Sequence, residues 1–147
     1  MGFLDKLKFD FWDNSSAVND LIEKWKPRGC KTEKDFEVSL YEFLHRELGD
    51  TQITKQYARG RIRADLVVAE KIIIELKTNL DTTTKYQRLI GQLTVYEEWN
   101  GSVIVLLTGK TDKNLLKELK LHADKLNNKR IGLIIGSGAT KFHIAEK

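Results

Sequence analysis

Cysteine and long apolar runs are what this sequence lacks most. Cys30 is the single cysteine among 147 residues, so neither an internal disulfide nor a thiolate metal cluster can form. The longest apolar runs, such as Val103–Leu107, are far too short to span a bilayer. The first residues also show no signal-peptide pattern. We therefore expect a cytoplasmic protein that has no membrane segment.

Neither sign of charge dominates the composition, but the positive charges are unevenly distributed. The 25 lysines and arginines exceed the 21 acidic residues by only four, which by itself is weak evidence for a nucleic-acid partner. Between positions 51 and 64, however, the chain has cations and no acid. These cations are Lys55, Arg59, Arg61 and Arg63. We predict that this basic run contacts nucleic-acid phosphates.

The length fits a single domain preceded by a short extension. Residues 1–29 are predicted to form an N-terminal helical extension, and residues 30–147 the domain. In the extension, apolar residues from Phe3 to Trp12 favour a short amphipathic helix, and a second helix is predicted from Ala17 to Trp25, capped by Ser15 or Ser16. We expect these helices to pack against the domain or to dock another protein.

Hydrophobic periodicity predicts an α/β fold. The first helix of the domain should start after Thr32, an N-cap residue, and end at Gly49. Glu37 borders the apolar stripe of this helix. The remaining predicted elements are strands Gln52–Ala58, Arg61–Ala69 and Lys71–Thr78, a helix from Asp81 to about Trp99, strand Ser102–Thr108, helix Asp112–Leu126, and strands Arg130–Ile135 and Phe142–Ile144. Strand Ser102–Thr108 should lie parallel to a neighbour in one mixed sheet.

The hairpin over residues 61–79 carries the candidate chemistry. Alternation places Glu75 and Lys77 on one face of their strand, opposite its apolar residues. On the preceding strand, Asp65 should share a face with Arg61, Arg63 and Val67. If Asp65 lies opposite Glu75, the register implies an odd-numbered loop such as positions 69–71.

Two carboxylates beside a lysine suit phosphodiester hydrolysis. The carboxylates could hold Mg²⁺, which takes oxygen ligands, and the ion would polarise a phosphate oxygen and acidify a bound water. Lysine could orient that water and oppose the new negative charge. The alternative is a surface salt bridge between Glu75 and Lys77 on a half-exposed sheet. Glu118 and Lys120 repeat the same spacing inside a predicted helix, where we interpret them as solvated.

These residues resemble the motif of the PD-(D/E)XK nuclease superfamily, whose fold is called restriction-endonuclease-like. Asp65 on one strand, Glu75 and Lys77 on the next, and Glu37 on a preceding helix match that motif, with Ala64 at the position of the motif's proline. The resemblance implies a core of order αβββαβ around a mixed central sheet flanked by helices, followed here by a C-terminal αβ extension. It also implies that Asp65, Glu75 and Glu37 serve the metal and that Lys77 is catalytic.

A second motif lies on the helix that follows the hairpin. Gln92 and Tyr96 are similar to the Gln-x-x-x-Tyr motif of RecB-type nucleases, which implies that both support the site. They also share one helical face, so simple packing of Tyr96 is the alternative. Glu33 and Glu42 are rivals for the role of the helix acid, for which the apolar stripe favours Glu37.

Together the residues and the resemblance predict a Mg²⁺-dependent deoxyribonuclease, with endonuclease action favoured and Mn²⁺ expected to substitute. The alternatives are a non-catalytic DNA-binding or scaffolding module on the same fold, and a regulatory domain of a larger complex. We also expect a homodimer, because a two-fold pair presents two sites to a duplex.

Overall fold

The structure is a computed structural model. It describes the backbone of residues 14–125, 131–137 and 141–146, and the side chains of residues 17–123 and 125. The helix predicted between Phe3 and Trp12 lies outside the described residues. No helix in the described ranges is long and apolar enough to cross a membrane.

Four helices and six strands make up the described chain, and the predicted α/β class with its αβββαβ order is confirmed. The helices are α1 (Asn14–Lys24), α2 (Glu33–Leu48), α3 (Thr83–Tyr96) and α4 (Lys113–Lys125). The strands are β1 (Ile53–Arg59), β2 (Ile62–Val68), β3 (Ile72–Thr78), β4 (Ser102–Thr108), β5 (Ile131–Ser137) and β6 (Lys141–Glu146). The last helix and strands form the predicted C-terminal extension.

One mixed sheet holds all six strands in their sequence order. Strands β1, β2 and β3 form an antiparallel meander. Strand β4 then pairs parallel to β3, as predicted, and β5 pairs parallel to β4. Strand β6 closes the order antiparallel to β5. The helical connection after β3 is what allows the parallel pairing, because a tight turn can join only antiparallel neighbours.

Helix α2 begins and ends as its sequence predicts. The Thr32 side chain accepts the Asp35 backbone N–H at 3.1 Å, and the Asp35 carboxylate accepts the Thr32 N–H at 3.1 Å. This reciprocal capping box satisfies backbone donors that no helical carbonyl can reach. At the other end, Gly49 adopts a positive φ of 60°, which glycine tolerates without a Cβ penalty.

Two apolar clusters cover the two faces of the sheet. Helices α1 and α2 pack on one face with Ile72, Ile74 and Leu76, which we name the first cluster. Helices α3 and α4 pack on the other face with Ile73 and Val105, the second cluster. The two sets of β3 residues alternate along the strand, which confirms the predicted division of its faces.

Helix α1 is part of the first cluster. Val18 and Ile22 are fully buried there, and the Trp25 indole N–H donates to the Ser39 hydroxyl at 3.0 Å. The described part of residues 1–29 therefore packs against the domain. The described helix spans Asn14–Lys24 and therefore includes Ser15 and Ser16, the two residues that were predicted to cap it.

In both β1 and β2, the side chains switch from one face of the sheet to the other at one shared position. Leu66 packs in the first cluster, whereas Ala64 packs in the second, although unbroken alternation would place both on one face. The change occurs where Gln56 and Asp65 lie between paired positions of the two strands. Gln56 has a positive φ of 50°, a conformation that disrupts regular strand geometry.

This exchange corrects one prediction from the sequence. Asp65 was expected to share a face with Arg61, Arg63 and Val67, which requires alternation to continue through Asp65. Val67 packs in the second cluster together with Ala64, so Arg63 and Val67 do not lie on one face. The prediction was wrong because side chains alternate strictly only along a strand that has no local change of twist.

Gly101 provides a test of how β4 is positioned against β3. A Cβ at Gly101 would lie 2.0 Å from the Lys71 carbonyl oxygen, which accepts hydrogen bonds from Ser102 and Trp99. We expect Gly101→Ala to lower the free energy of unfolding by about 1–3 kcal/mol, the usual cost of overpacking.

Gly91 is the matched control, because a Cβ at this position in α3 would meet no atom within 4 Å. Gly91→Ala should raise stability by up to about 1 kcal/mol through helix propensity. Urea denaturation of both variants measures the difference. Equal stability of the two variants would contradict the close approach at Gly101.

Candidate active site

The β2–β3 hairpin brings Asp65 and Glu75 together in the predicted register. The paired positions run from Val68 and Ile72 to Leu66 and Ile74, so the next opposed pair is Asp65 and Glu75. The loop spans residues 69–71, as predicted, and two of its residues have positive φ. Beyond Ile74 the paired register stops.

Where the β2–β3 pairing stops, a β3 backbone N–H donates to a side chain of β2 and not to a backbone carbonyl. The Asp65 carboxylate accepts the Leu76 backbone N–H at 2.9 Å. This hydrogen bond satisfies a strand donor and fixes the carboxylate beside Glu75. The change of faces at Asp65 and the end of the β2–β3 pairing thus occur together.

Glu75 is almost completely removed from solvent. Its relative exposure is 1%, and its Oε1 accepts the Tyr96 hydroxyl at 2.6 Å. The Lys77 ammonium nitrogen lies 3.5 Å from its Oε2, and the Lys77 side chain is 19% exposed. This burial does not fit the alternative of a surface salt bridge on a half-exposed sheet.

Burial and neighbouring acidic charges raise the pKa of both carboxylates. Burial, reinforced by the charge of Asp65, raises the pKa of Glu75 to about 7, against the opposing effects of Tyr96, Lys77 and Gln92. Burial also raises the pKa of Asp65 to about 6, with the charges of Glu33 and Glu37 acting in the same direction. The hydrogen bond from Leu76 opposes this rise.

Gln92 and Tyr96 reach Glu75 from α3, as the second motif implied. The Tyr96 hydroxyl contacts both Glu75 and the Arg63 carbonyl oxygen, and burial beside Glu75 raises the pKa of this hydroxyl. The Gln92 amide also favours the ionised form of Glu75, while its Oε1 is buried without a hydrogen-bond partner among the described residues. Tyr96 therefore does more than pack against the sheet.

Helix α2 contributes two acids near the site. Glu37, 6% exposed, accepts the Gln56 side-chain amide at 2.8 Å and lies 3.9 Å from the Lys34 ammonium. Glu33, one turn earlier, accepts the Thr78 backbone N–H at 2.9 Å. From the sequence, Glu33 was expected only as a rival to Glu37. Their i, i+4 spacing was the signal that both could face Asp65.

The two central carboxylates fit a hard cation, but the predicted three-carboxylate set does not form. Among the described residues, no three histidine, cysteine, aspartate or glutamate side chains lie close enough to hold a metal ion. The Glu37 carboxylate accepts a hydrogen bond from Gln56, and its charge acts on Asp65, so its service to the metal stays a prediction. One or two carboxylates supplemented by water suffice for Mg²⁺.

The predicted basic run does not converge on these carboxylates. Lys55 lies over the Tyr41 ring, with its ammonium 4.5 Å from the ring centroid. Arg61 forms an ion pair with Glu98, and Arg63 donates to the carbonyl groups of residues 60 and 62. Arg59 lines a separate pocket beside Tyr57 and Trp99. Its role in phosphate binding stays a prediction.

A different set of cations borders the site. An open cleft at the end of β3, which we name the α3 cleft, has six lining residues: Glu33, Lys77, Thr78, Leu80, Lys85 and Arg88. Lys85 and Arg88 were not predicted from the sequence to belong to the site. In the sequence they look like ordinary exposed positions of a helix, and only the placement of α3 beside Lys77 distinguishes them.

The raised pKa of Glu75 predicts how stability depends on pH in the absence of metal. Between its ordinary value of 4.5 and about 7, the folded protein retains a proton that the unfolded chain releases. The free energy of unfolding should therefore fall as pH rises through this window, by an amount on the order of 3 kcal/mol.

Glu75→Gln should flatten this pH dependence, because the amide cannot ionise. Thermal unfolding in a chelating buffer from pH 4 to pH 8 measures the effect, with exposed Glu118→Gln as the control. A Glu75→Gln variant with the pH dependence of the wild-type protein would contradict the buried, proton-retaining carboxylate.

Comparisons with known proteins give a distant structural match. No family model matches the sequence, and no curated protein matches it. Among solved structures, the fold is similar to that of Pyrococcus furiosus SfsA in complex with Ca²⁺, with 16% identity and a TM-score of 0.43. The match covers 78% of this chain and 60% of SfsA, so the chain spans less than two thirds of that protein's length.

Proposed function

We propose that this protein is a metal-dependent nuclease that hydrolyses DNA phosphodiester bonds as an endonuclease. One observation carries the proposal: the buried Glu75 carboxylate and the half-buried Asp65 carboxylate opposite it lie beside the Lys77 ammonium at the edge of an open, cation-lined cleft. Two acids held in this way repel each other unless a proton or a cation lies between them. A divalent cation relieves that repulsion at neutral pH.

Asp65 and Glu75 would hold the ion, for which Mg²⁺ is the expected species and Mn²⁺ a substitute. When bound, the ion supplies Lewis-acid polarisation of a phosphate oxygen and a lowered pKa for a coordinated water. Hydrolysis then adds the water oxygen to phosphorus, breaks one phosphorus–oxygen ester bond and leaves a phosphate and a hydroxyl end.

The protein's own groups prepare this reaction. Lys77 opposes the charge that builds up on the phosphate and orients the attacking water. The Tyr96 hydroxyl fixes one oxygen of Glu75, and the Leu76 N–H fixes one oxygen of Asp65. Both contacts favour the ionised carboxylates against the effect of burial. Glu37, through Gln56, is proposed to assist at the border of the site.

A second candidate function is a DNA-binding module without catalytic activity. Among the described residues, no group of three potential ligands could hold a metal ion, while three cations line the α3 cleft. Catalysis is the stronger proposal because a phosphate-binding surface gains nothing from two acids held close together beside it. A homodimer with two sites stays a prediction under either function.

Substitutions of Glu75 and of Lys77 distinguish the proposed metal ligand from the proposed catalytic residue. Glu75→Ala should lose cleavage and most of the Mg²⁺ affinity, since Mg²⁺ depends on one or two carboxylates. Lys77→Ala should keep the metal and lose roughly 10²–10³ in cleavage rate, the usual effect of removing one electrostatic group. Calorimetric metal titration and a plasmid-nicking time course measure the two effects.

Glu118 and Lys120 are the matched controls for this pair, because they repeat its spacing on α4 and are exposed. Glu118→Ala and Lys120→Ala should behave like the wild-type protein in both assays. Full cleavage by Lys77→Ala, or unchanged metal affinity in Glu75→Ala, would refute the assigned roles.

The basic run, and within it Arg61 and Arg63, gives a separate prediction about DNA affinity. If Arg61 and Arg63 contact phosphates, replacing both with alanine should weaken binding to every DNA sequence alike. It should also reduce the slope of log affinity against log salt by about 0.9 for each lost contact to duplex DNA. Fluorescence anisotropy over a salt series measures this slope. An unchanged slope would remove both arginines from the interface and leave them to Glu98 and the local carbonyls.

A further inference from the structure

The α3 cleft is continuous with the candidate active site. Lys77 belongs to both, since it lies 3.5 Å from Glu75 and lines the cleft. Glu33 also belongs to both, because it lines the cleft and its charge acts on Asp65. A phosphodiester group at the carboxylates would therefore have the cleft beside it along the strand.

The charges in this cleft favour an anion. Three of its six lining residues are cations, and Glu33 is its one acid. The first turn of α3 carries no acidic residue. Lys85 and Arg88 are three positions apart on α3, a spacing that places their side chains on one helical face.

Lys85 is held in place by its local partners. Its ammonium donates to the Asn79 carbonyl oxygen and to the Asp81 carboxylate, each at 3.0 Å. An ammonium has three donors, so one is left for a ligand. Asn79 is itself fixed, because its side-chain oxygen accepts the Lys110 backbone N–H at 2.9 Å.

Arg88 is the cation with donors to spare. Its side chain is exposed, and its guanidinium forms neither a hydrogen bond nor an ion pair with any described residue. The planar guanidinium presents paired N–H groups that match two oxygens of a phosphate. Arg61, by contrast, already pairs with Glu98.

We propose that Arg88 and Lys85 bind a DNA backbone phosphate next to the scissile one and so set the path of the strand along α3. This inference rests on the proposed function. Arg88 is a positioning residue in this scheme, since the reacting phosphate is held at Asp65, Glu75 and Lys77. The path along α3 adds a contact that the basic run does not provide.

Metal-free binding tests the cleft independently of cleavage. Labelled single-stranded and duplex oligonucleotides are titrated with protein in a chelating buffer over a salt series, and anisotropy gives the affinity. Arg88→Ala should weaken binding about tenfold and for every sequence alike, because a lost phosphate contact carries no base preference. The slope of log affinity against log salt should fall by about 0.9 for duplex and about 0.7 for single strands.

Two further variants show whether the effect of Arg88 comes from its paired N–H donors, from its positive charge alone, or from a loss of folding. Arg88→Lys should keep the salt slope but recover only part of the affinity, because lysine retains the charge without the paired donors. Lys120→Ala, which removes an exposed cation on α4, should match the wild-type protein. All variants should unfold at the wild-type temperature, since none of the replaced side chains is buried.

The outcomes also separate this inference from the proposed function. With a cleavable substrate, Arg88→Ala should raise KM and leave kcat within a factor of about three, the mark of binding shared by ground and transition states. Arg88-dependent binding without any cleavage in Mg²⁺ or Mn²⁺ would refute the nuclease and support the cleft. Wild-type affinity and salt slope in Arg88→Ala, or an equal loss of affinity in Lys120→Ala, would refute the proposed phosphate site in the α3 cleft.

Discussion

The rest of the site depends on the repulsion between the buried Glu75 carboxylate and the half-buried Asp65 carboxylate opposite it. Glu75 is 1% exposed, and burial together with the charge of Asp65 opposite it raises the pKa of Glu75. Burial together with the charges of Glu33 and Glu37 raises the pKa of Asp65. A sheet interior does not retain such groups without compensation. Here Tyr96, Lys77 and the Leu76 N–H each stabilise the ionised forms. Their combined effect still leaves Glu75 with a pKa of about 7, so near neutral pH a proton or a cation must complete the pair.

A single irregularity in the sheet makes this arrangement possible. Where Gln56 adopts a positive φ, β1 and β2 exchange the faces to which their side chains point. The paired register of β2 with β3 ends at Leu66 and Ile74. The Leu76 N–H then bonds to the Asp65 carboxylate instead of a backbone carbonyl. The same residue, Gln56, donates its side-chain amide to Glu37, so one local change positions acids from a strand and from a helix.

The sequence predicted the parts of the site that depend on periodicity. Apolar alternation predicted the two faces of β3, and an opposed Asp65 and Glu75 was expected to require an odd-numbered loop such as residues 69–71. The helical stripe predicted that Glu37 borders the core and does not face away from it. The exchange of faces was not predictable, because glutamine has no particular preference for a positive φ and leaves no pattern in the neighbouring residues. Lys85 and Arg88 were missed for another reason. Their significance comes from where α3 packs, which is a tertiary fact about exposed residues of ordinary helical composition.

Lys77 links the acidic pair to the cationic cleft. In the described structure its ammonium lies 3.5 Å from Glu75 and partly offsets that buried charge, while its side chain also borders the space shared with Arg88. A cation held by Asp65 and Glu75 would take over the neutralisation of these acids. The charge of Lys77 would then act on a phosphate in the cleft, where a reacting group requires it. In the proposed nuclease, metal binding therefore also frees the charge of Lys77 for the phosphate, because the same carboxylates attract both the metal ion and the ammonium.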